Sequence, residues 1–291
     1  MMKLTIITIN LNNAQGLCKT VESVLKQTSN EFEYIIIDGG STDNSLRVIS
    51  DVCLANKDSL ESNGSAYNNG IQIKWISEPD TGIYNAMNKG IRMAKGEYVQ
   101  FLNSGDFLYS KDVIKNVLIS LQNQCDIYVG TVASVTLKGK LRYTKNLKSC
   151  SLVTFYGGTL PHTSSFIRRS LFDKYGYYDE SLRIVSDWKW YLIVAGLNKS
   201  NILFSDIIVS CFDTTGISNT NKALDKLERR RVLEELVPAP ILQDYDKYYF
   251  DINQIERLKK YQVIYKIVWI LERCLFKVEK WRKKFYREFG I

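Results

Sequence analysis

Four short apolar runs alternate with helix-period segments over roughly the first hundred residues, and that succession leaves few folds open. Residues 3–9, 32–37, 71–76 and 98–102 are rich in β-branched and aromatic side chains. Between them, residues 14–27 place Leu17, Val21, Val24 and Leu25 on one helical face. Asp43 can cap a helix running through Leu46 and Ile49, and Tyr84 to Ala94 predicts a third. This β-α-β-α-β-α-β order predicts a parallel, doubly wound sheet flanked by helices. Two of the strands end on a carboxylate. Ile35-Ile36-Ile37-Asp38 runs into Gly39-Gly40-Ser41-Thr42-Asp43, and Tyr98-Val99-Gln100-Phe101 runs into Leu102-Asn103-Ser104-Gly105-Asp106. Open α/β sheets bind ligands at that edge. Acids there suit a divalent cation and a nucleotide better than a packed core.

The remainder is less regular. Residues 56–70 are polar and predict a surface loop. Residues 112–121 predict a helix, and 126–145 two strands joined near Lys138-Gly139-Lys140. Helical signals dominate after Ala223, interrupted by Pro238-Ala239-Pro240.

Charge is unevenly spread. Residues 255–291 carry eleven Lys/Arg and four Glu, so most of the net charge of +8 lies there. A near-neutral body argues against nucleic-acid binding and for an anionic partner at the tail. Ile264, Val268, Leu271, Leu275, Val278, Trp281, Phe285 and Phe289 recur at helical spacing among Lys and Arg, the pattern of an interfacial anchor. A packed helix with a solvated basic face is the structural alternative. Six cysteines without CxxC spacing read as reduced thiols. Neither a signal peptide nor a membrane-spanning run is evident, so the expected place is cytoplasmic, peripheral on the inner membrane.

Several chemistries are excluded. GxGxxG and GxxxxGK[ST] are absent, as is GxSxG. One histidine and scattered cysteines cannot build a zinc cluster, so a metal here would be oxygen-ligated Mg²⁺ or Mn²⁺.

Five segments then occur in order: strand 3–9 with Asn10; Asp38 to Asp43; Glu78-Pro79-Asp80-Thr81-Gly82-Ile83-Tyr84-Asn85-Ala86-Met87-Asn88-Lys89-Gly90; Ala94-Lys95-Gly96-Glu97-Tyr98; and Asn103 to Asp106. Together they resemble the family 2 glycosyltransferases of the GT-A fold, in their bacterial surface-polysaccharide branch. The likeness is strong over 3–110 and continues through Pro161-His162 and Ser186-Asp187. It implies a glycosyltransferase domain at 1–220, with a nucleotide-sugar half at 1–106 and an acceptor half at 107–220, and a helical extension at 221–291. It implies a nucleoside-diphosphate sugar donor, a glycan or lipid-linked acceptor, and an anionic membrane surface under residues 255–291.

The same likeness assigns residues. Asp106 matches the last position of the family's metal-holding acidic motif. Asn103 and Gly105 stand where many relatives have carboxylates. Asp38 matches the residue contacting base or ribose; Asp80, Lys89, Asn103 and His162 match positions around the nucleotide sugar. Asp187 matches the acceptor base, with Ser186 in place of the family's preceding Glu. Its aromatic neighbours, Trp188 and Trp190, would exclude water and raise its pKa. Structural alternatives stand beside each: a turn residue at Asp106, a solvated helix face at Lys89, a helix-dipole partner at Asp187, a bonded core histidine at His162. The altered acidic positions leave a second reading, an inactive sugar-nucleotide-binding module tethered at the membrane.

Overall fold

A computed structural model describes residues 2–53, 62–135, 141–144, 147–213 and 221–289. In chain order β1 (Leu4–Asn10), α1 (Ala14–Leu25), β2 (Phe32–Asp38), α2 (Ser45–Cys53), β3 (Asn63–Asn68), β4 (Ile71–Ser77), α3 (Ile83–Met93) and β5 (Tyr98–Phe101) come first. They are followed by β6 (Phe107–Leu108), α4 (Val113–Ser120), β7 (Ile127–Val135), β8 (Leu141–Tyr143), α5 (Leu152–Gly157), β9 (Ser165–Arg168), α6 (Ser170–Tyr175), α7 (Ser186–Tyr191) and β10 (Ile202–Phe212). Helices α8 (Lys222–Leu236), α9 (Ala239–Lys259) and α10 (Gln262–Phe289) complete the chain. Two compact units divide between Val232 and Leu233, so α8 begins within the first.

The sheet runs β3-β4-β2-β1-β5-β9-β7-β10-β6, with β8 beside β7. Its run β4-β2-β1-β5 is parallel, as the alternation of strands and helices predicts. Strand β9 lies antiparallel between β5 and β7. Every residue of β1 and β2 is buried. Helices covering both faces of a parallel sheet explain why these strands read as continuous apolar runs. The register sets Asn10 beside Asp38, and Asp38 beside Ser77, at the C-terminal edge.

The loop expected over 56–70 is corrected in its described part. Residues 63–68 form β3, antiparallel to β4. Asn69 and Gly70 both take positive φ, at 51° and 78°, as a tight hairpin turn requires. The polar edge strand lacks an apolar stripe, so its composition resembles a loop. The Lys138-Gly139-Lys140 junction lies outside the described residues; the strands on either side of it, β7 and β8, pair antiparallel. Among the described residues, no helix is long and apolar enough to cross a membrane.

The Ala94–Tyr98 segment owes its glycine to a close approach. A Cβ on Gly96 would stand 2.5 Å from Thr5 N and 2.6 Å from Leu4 C, both backbone atoms of β1. The Gly96 N–H donates to Thr5 Oγ1 at 2.9 Å. Beside it the buried Glu33 takes Lys74 Nζ at 2.6 Å and the Thr5 hydroxyl at 2.8 Å. Burial opposes its charge, but Lys74 and these donors hold its carboxyl below the ordinary value. Gly96→Ala is expected to lower the unfolding free energy by about 1–3 kcal/mol in chemical denaturation. An unchanged midpoint would contradict the close approach.

Candidate active site

The C-terminal edge of the parallel strands is built around Asp38. Its side chain is wholly buried. It accepts from Asn10 Nδ2 at 2.7 Å, the Ser41 N–H at 2.9 Å, and the Ser41 and Ser77 hydroxyls at 2.6 Å each. Four donors thus pin the 39–43 loop to three strand ends. Asp43 accepts from the N–H groups of Ser45 and Ala14 at 2.9 Å each, which is its expected capping role. Asp80 accepts from the Gly82 N–H at 2.9 Å. A Cβ on Gly39 would stand 2.4 Å from its Oδ2, so a larger residue there would displace this carboxylate. Lys89 pairs with Glu78 at 2.7 Å and donates to the Pro79 carbonyl at 3.2 Å. It is not a free solvated cation; it ties down the loop before α3.

Asn103, Asp106, His162 and Asp187 meet in one cavity of about 400 Å³. Asp38, Asp80 and Lys89 are not among its walls. The Asn103–Asp106 turn is held from α1. Gly105, at φ 105°, donates its N–H to Thr20 Oγ1 at 2.9 Å, and Thr20 Oγ1 lies 2.6 Å from the Asp106 carbonyl. That φ favours glycine. Asp106 is 3% exposed and accepts from the Asp213 N–H at 2.7 Å. Burial pushes its carboxyl up to about 6, with the neighbouring Asp213 carboxylate adding to the rise. Asp213, at the end of β10, stands over Gly105.

Asp187 begins α7 and faces the same space. Its Oδ1 lies 2.8 Å from the Tyr84 hydroxyl, which is also 2.5 Å from the Ile184 carbonyl. Its Oδ2 lies 3.5 Å from His162 Nδ1. His162 Nε2 is 3.4 Å from Asn103 Nδ2. A proton on Nδ1 therefore lets the ring donate to Asp187 and accept from Asn103. The expectation of a raised Asp187 pKa is corrected. Burial does push it up, but the His162 and Tyr84 hydrogen bonds outweigh burial and leave it below the ordinary value. His162 shifts the other way: burial opposes its charge, and the two carboxylates, Asp187 first, carry it above its ordinary value. The aromatic neighbours act as a wall instead. Phe172 stacks on Trp190 at 4.5 Å, and Tyr178 packs against Tyr84 at 5.7 Å.

The donor set fits a hard cation. Asp106 and Asp213 offer carboxylate oxygens, and Asn103 Oδ1 is buried without a hydrogen-bond partner. Among the described residues no cluster of three or more His, Cys, Asp or Glu forms a ready cage. Mg²⁺ commonly takes one or two carboxylates and completes its shell with phosphate and water.

Sequence reasoning missed Asp213, although it ends an apolar strand just as Asp38 does. Tyr84 stands in the sequence at the start of a helix and within the Glu78–Gly90 segment, with nothing there to give it a role at the site. Arg183, Asp225 and Arg229 also line the cavity. The last two come from α8 and carry no local signal.

Residues 5–179 match the Glycosyl transferase family 2 domain. The chain is 32% identical over 227 residues to an uncharacterised glycosyltransferase of Mycobacterium tuberculosis, covering 74% of this chain and 76% of that protein. It is 27% identical over 219 residues to a PGL/p-HBAD biosynthesis glycosyltransferase of the same species, covering 74% and 79%. Among solved structures, S. aureus TarS 1-349 in complex with UDP-GlcNAc superposes with a TM-score of 0.62 at 20% identity, covering 82% of this chain and 67% of that one. A second crystal structure of S. aureus TarS 1-349 superposes with a TM-score of 0.59 at 22% identity, covering 73% of this chain and 61% of that one. A Pyrobaculum calidifontis mannosyltransferase, PcManGT, in complex with GDP-Man and Mn²⁺ gives 0.53 at 15% identity, covering 78% and 60%. These likenesses establish the GT-A fold. With the family match over more than half its length, the chain is a glycosyltransferase and belongs to glycosyl transferase family 2.

Proposed function

We propose that this glycosyltransferase moves one sugar from a UDP-sugar onto a glycan or lipid-linked acceptor in bacterial surface-polysaccharide synthesis, such as capsule or O-antigen, with inversion at the anomeric carbon. The observation that carries the reading is the single cavity in which the Asp106 turn and Asp187 are joined through His162 and Asn103. The UDP-GlcNAc complex of TarS and the PGL/p-HBAD biosynthesis relative support the donor and pathway class.

In this reading the nucleotide lies over the edge that Asp38 organises, bordered by Asp80 and Lys89. Its diphosphate reaches the Asn103–Asp106 turn beside His162. Asp106, with Asp213 and Asn103 Oδ1, would hold Mg²⁺ or Mn²⁺; the Pyrobaculum mannosyltransferase structure, which contains Mn²⁺, supports the choice of metal. Bound there, the cation would offset the charge gathering on the departing diphosphate. Asp187 takes the acceptor hydroxyl proton as the acceptor oxygen bonds the anomeric carbon and the bond to the diphosphate breaks. Tyr84 and His162 fix the carboxylate for that task. Lowered below its ordinary value, Asp187 is ionised throughout the neutral range and ready to accept.

Purified protein offered UDP-, GDP- and dTDP-sugars with Mn²⁺ should release nucleoside diphosphate from a UDP-sugar. Release should stop with EDTA, and Asp187→Asn should cut kcat by about 10²–10⁴-fold. Donor binding with no turnover, unaffected by Asp187→Asn, would favour the inactive binding module.

Asp106 allows a stability test. Its folded pKa of about 6 exceeds the ordinary 3.8, so the folded state holds the proton more tightly than the unfolded chain. The stabilisation this gives is full below about pH 4 and is lost as pH rises through about 6. At pH 7.5, without metal, Asp106→Asn should raise the unfolding free energy by up to about 3 kcal/mol. Mn²⁺ should raise the melting temperature of the wild type and not of the variant. Equal Mn²⁺ stabilisation in both would contradict the metal assignment.

Helix α10 supports the membrane-surface reading at the cytoplasmic face. Along it Trp269, Leu275, Phe276 and Trp281 are exposed at 47, 69, 68 and 66%, interleaved with Arg273, Lys277 and Lys280. A basic residue near an anionic leaflet contributes about 1 kcal/mol. The full chain should sediment with vesicles containing phosphatidylglycerol, and binding should fall with salt and on Lys277→Glu/Lys280→Glu. Equal sedimentation with neutral vesicles would contradict the electrostatic part.

A further inference from the structure

Helix α7 carries Asp187 but has no side-chain cap of its own, with Val185 at the N-cap position. The backbone leading into it is held instead by a residue from α8. Glu228 Oε1 accepts from the Arg183 N–H at 2.8 Å. Its Oε2 accepts from the Ile184 N–H at 3.0 Å and the Val185 N–H at 3.3 Å. Glu228 is 8% exposed. A buried carboxylate is costly unless its oxygens are bonded, and three consecutive amides meet that need.

The peptide joining Ile184 to Val185 is used on both sides. Its N–H, that of Val185, meets Glu228 Oε2 at 3.3 Å, and its carbonyl, that of Ile184, lies 2.5 Å from the Tyr84 hydroxyl. That hydroxyl lies 2.8 Å from Asp187 Oδ1. Glu228 therefore fixes the N–H side of a peptide whose carbonyl shares the one Tyr84 hydroxyl proton with Asp187 Oδ1.

Resting on the assignment of Asp187 as acceptor base, we infer that Glu228 is a positioning residue for that base: it fixes the 183–185 strap so that Asp187 and Tyr84 keep the geometry the transfer step needs. Helix α8 thus starts inside the working enzyme. Its Asp225 and Arg229 line the same cavity, and Arg229 lies 4.6 Å over the Trp188 ring and donates to the Gly158 carbonyl at 2.9 Å.

The test is a double-mutant cycle on the full chain, with kcat, KM and donor Kd measured for E228A and E228Q in wild-type and D187N backgrounds. In the wild-type background E228A should lower kcat by about 10²-fold, the scale of a small misplacement of a reacting group, while donor Kd stays within about twofold. E228Q keeps one acceptor oxygen on the strap and should recover most of that loss. In the D187N background neither variant should reduce the residual rate further, because residues acting as a unit are not additive. An equal loss in both backgrounds, or a loss of donor affinity at constant kcat, would make Glu228 a structural tie and overturn the inference. If E228A does not fold, E228D, which keeps the charge but draws it back by one methylene, takes its place: kcat should fall in the wild-type background and not in D187N, and an equal fall in both would overturn the inference. A fully active D187N would overturn the base assignment itself, whatever the Glu228 variants do.

Discussion

The hydroxyl of Tyr84 holds the candidate active site together. It reaches from α3, in the first half of the sheet, to the Ile184 carbonyl and Asp187 Oδ1 about α7, across a sequence separation of 103 residues. Its burial makes the contact strong, since a hydrogen bond in a dry site is poorly replaced by water. Two positions depend on it at once: the strap before α7 and the carboxylate that opens that helix. From Asp187 the contacts continue through His162 to Asn103, so the Asn103–Asp106 turn and the Asp187 carboxylate share one bonded framework. The aromatic cluster behind Tyr84 and Trp190 leaves that framework little room to shift.

Charge burial runs through the same region, and its cost is met differently at each point. Asp38 is surrounded by four donors and serves as a structural pin. Glu228 is met by three amides. Asp187 has a phenol and an imidazole. Asp106 has one amide, with His162 and Lys19 near enough to favour its charge and the Asp213 carboxylate opposing it, and burial still carries it upward. A carboxylate left short of partners is where a cation stabilises most. Under the proposed function, Asp106 is the acid at the sheet edge that a diphosphate-bound metal would relieve.

Much of the first half was legible because its physics is local. Strands buried on both faces read as near-continuous apolar runs, and β1, β2 and β5 show it; β4, buried on one face, alternates instead, with Gln72 and Lys74 on its other side. Strand β3 was not legible, because an exposed edge strand of Asn, Gly and Ser residues has the composition of a loop; the Asn69-Gly70 turn was its one readable sign. Asp38 and Asp106 stood out at strand ends, yet the same rule applied to Ile207–Phe212 would have exposed Asp213. Asp38 also shows what the rule leaves open, since a strand-end acid can face inward and organise a loop. Glu228 was beyond reach. It lies in Lys226-Leu227-Glu228-Arg229-Arg230-Arg231, which reads as a solvated helix face, and only the tertiary fold turns it onto the strap.

The central claim is a single displacement at the anomeric carbon, with Asp187 taking the acceptor proton across the cavity from the departing diphosphate. The anomeric configuration of the transferred or released sugar, read by proton NMR before it can equilibrate, tests this most directly. Inversion relative to the donor is expected. Retention would require a double displacement or a same-face route, and would contradict the role given to Asp187.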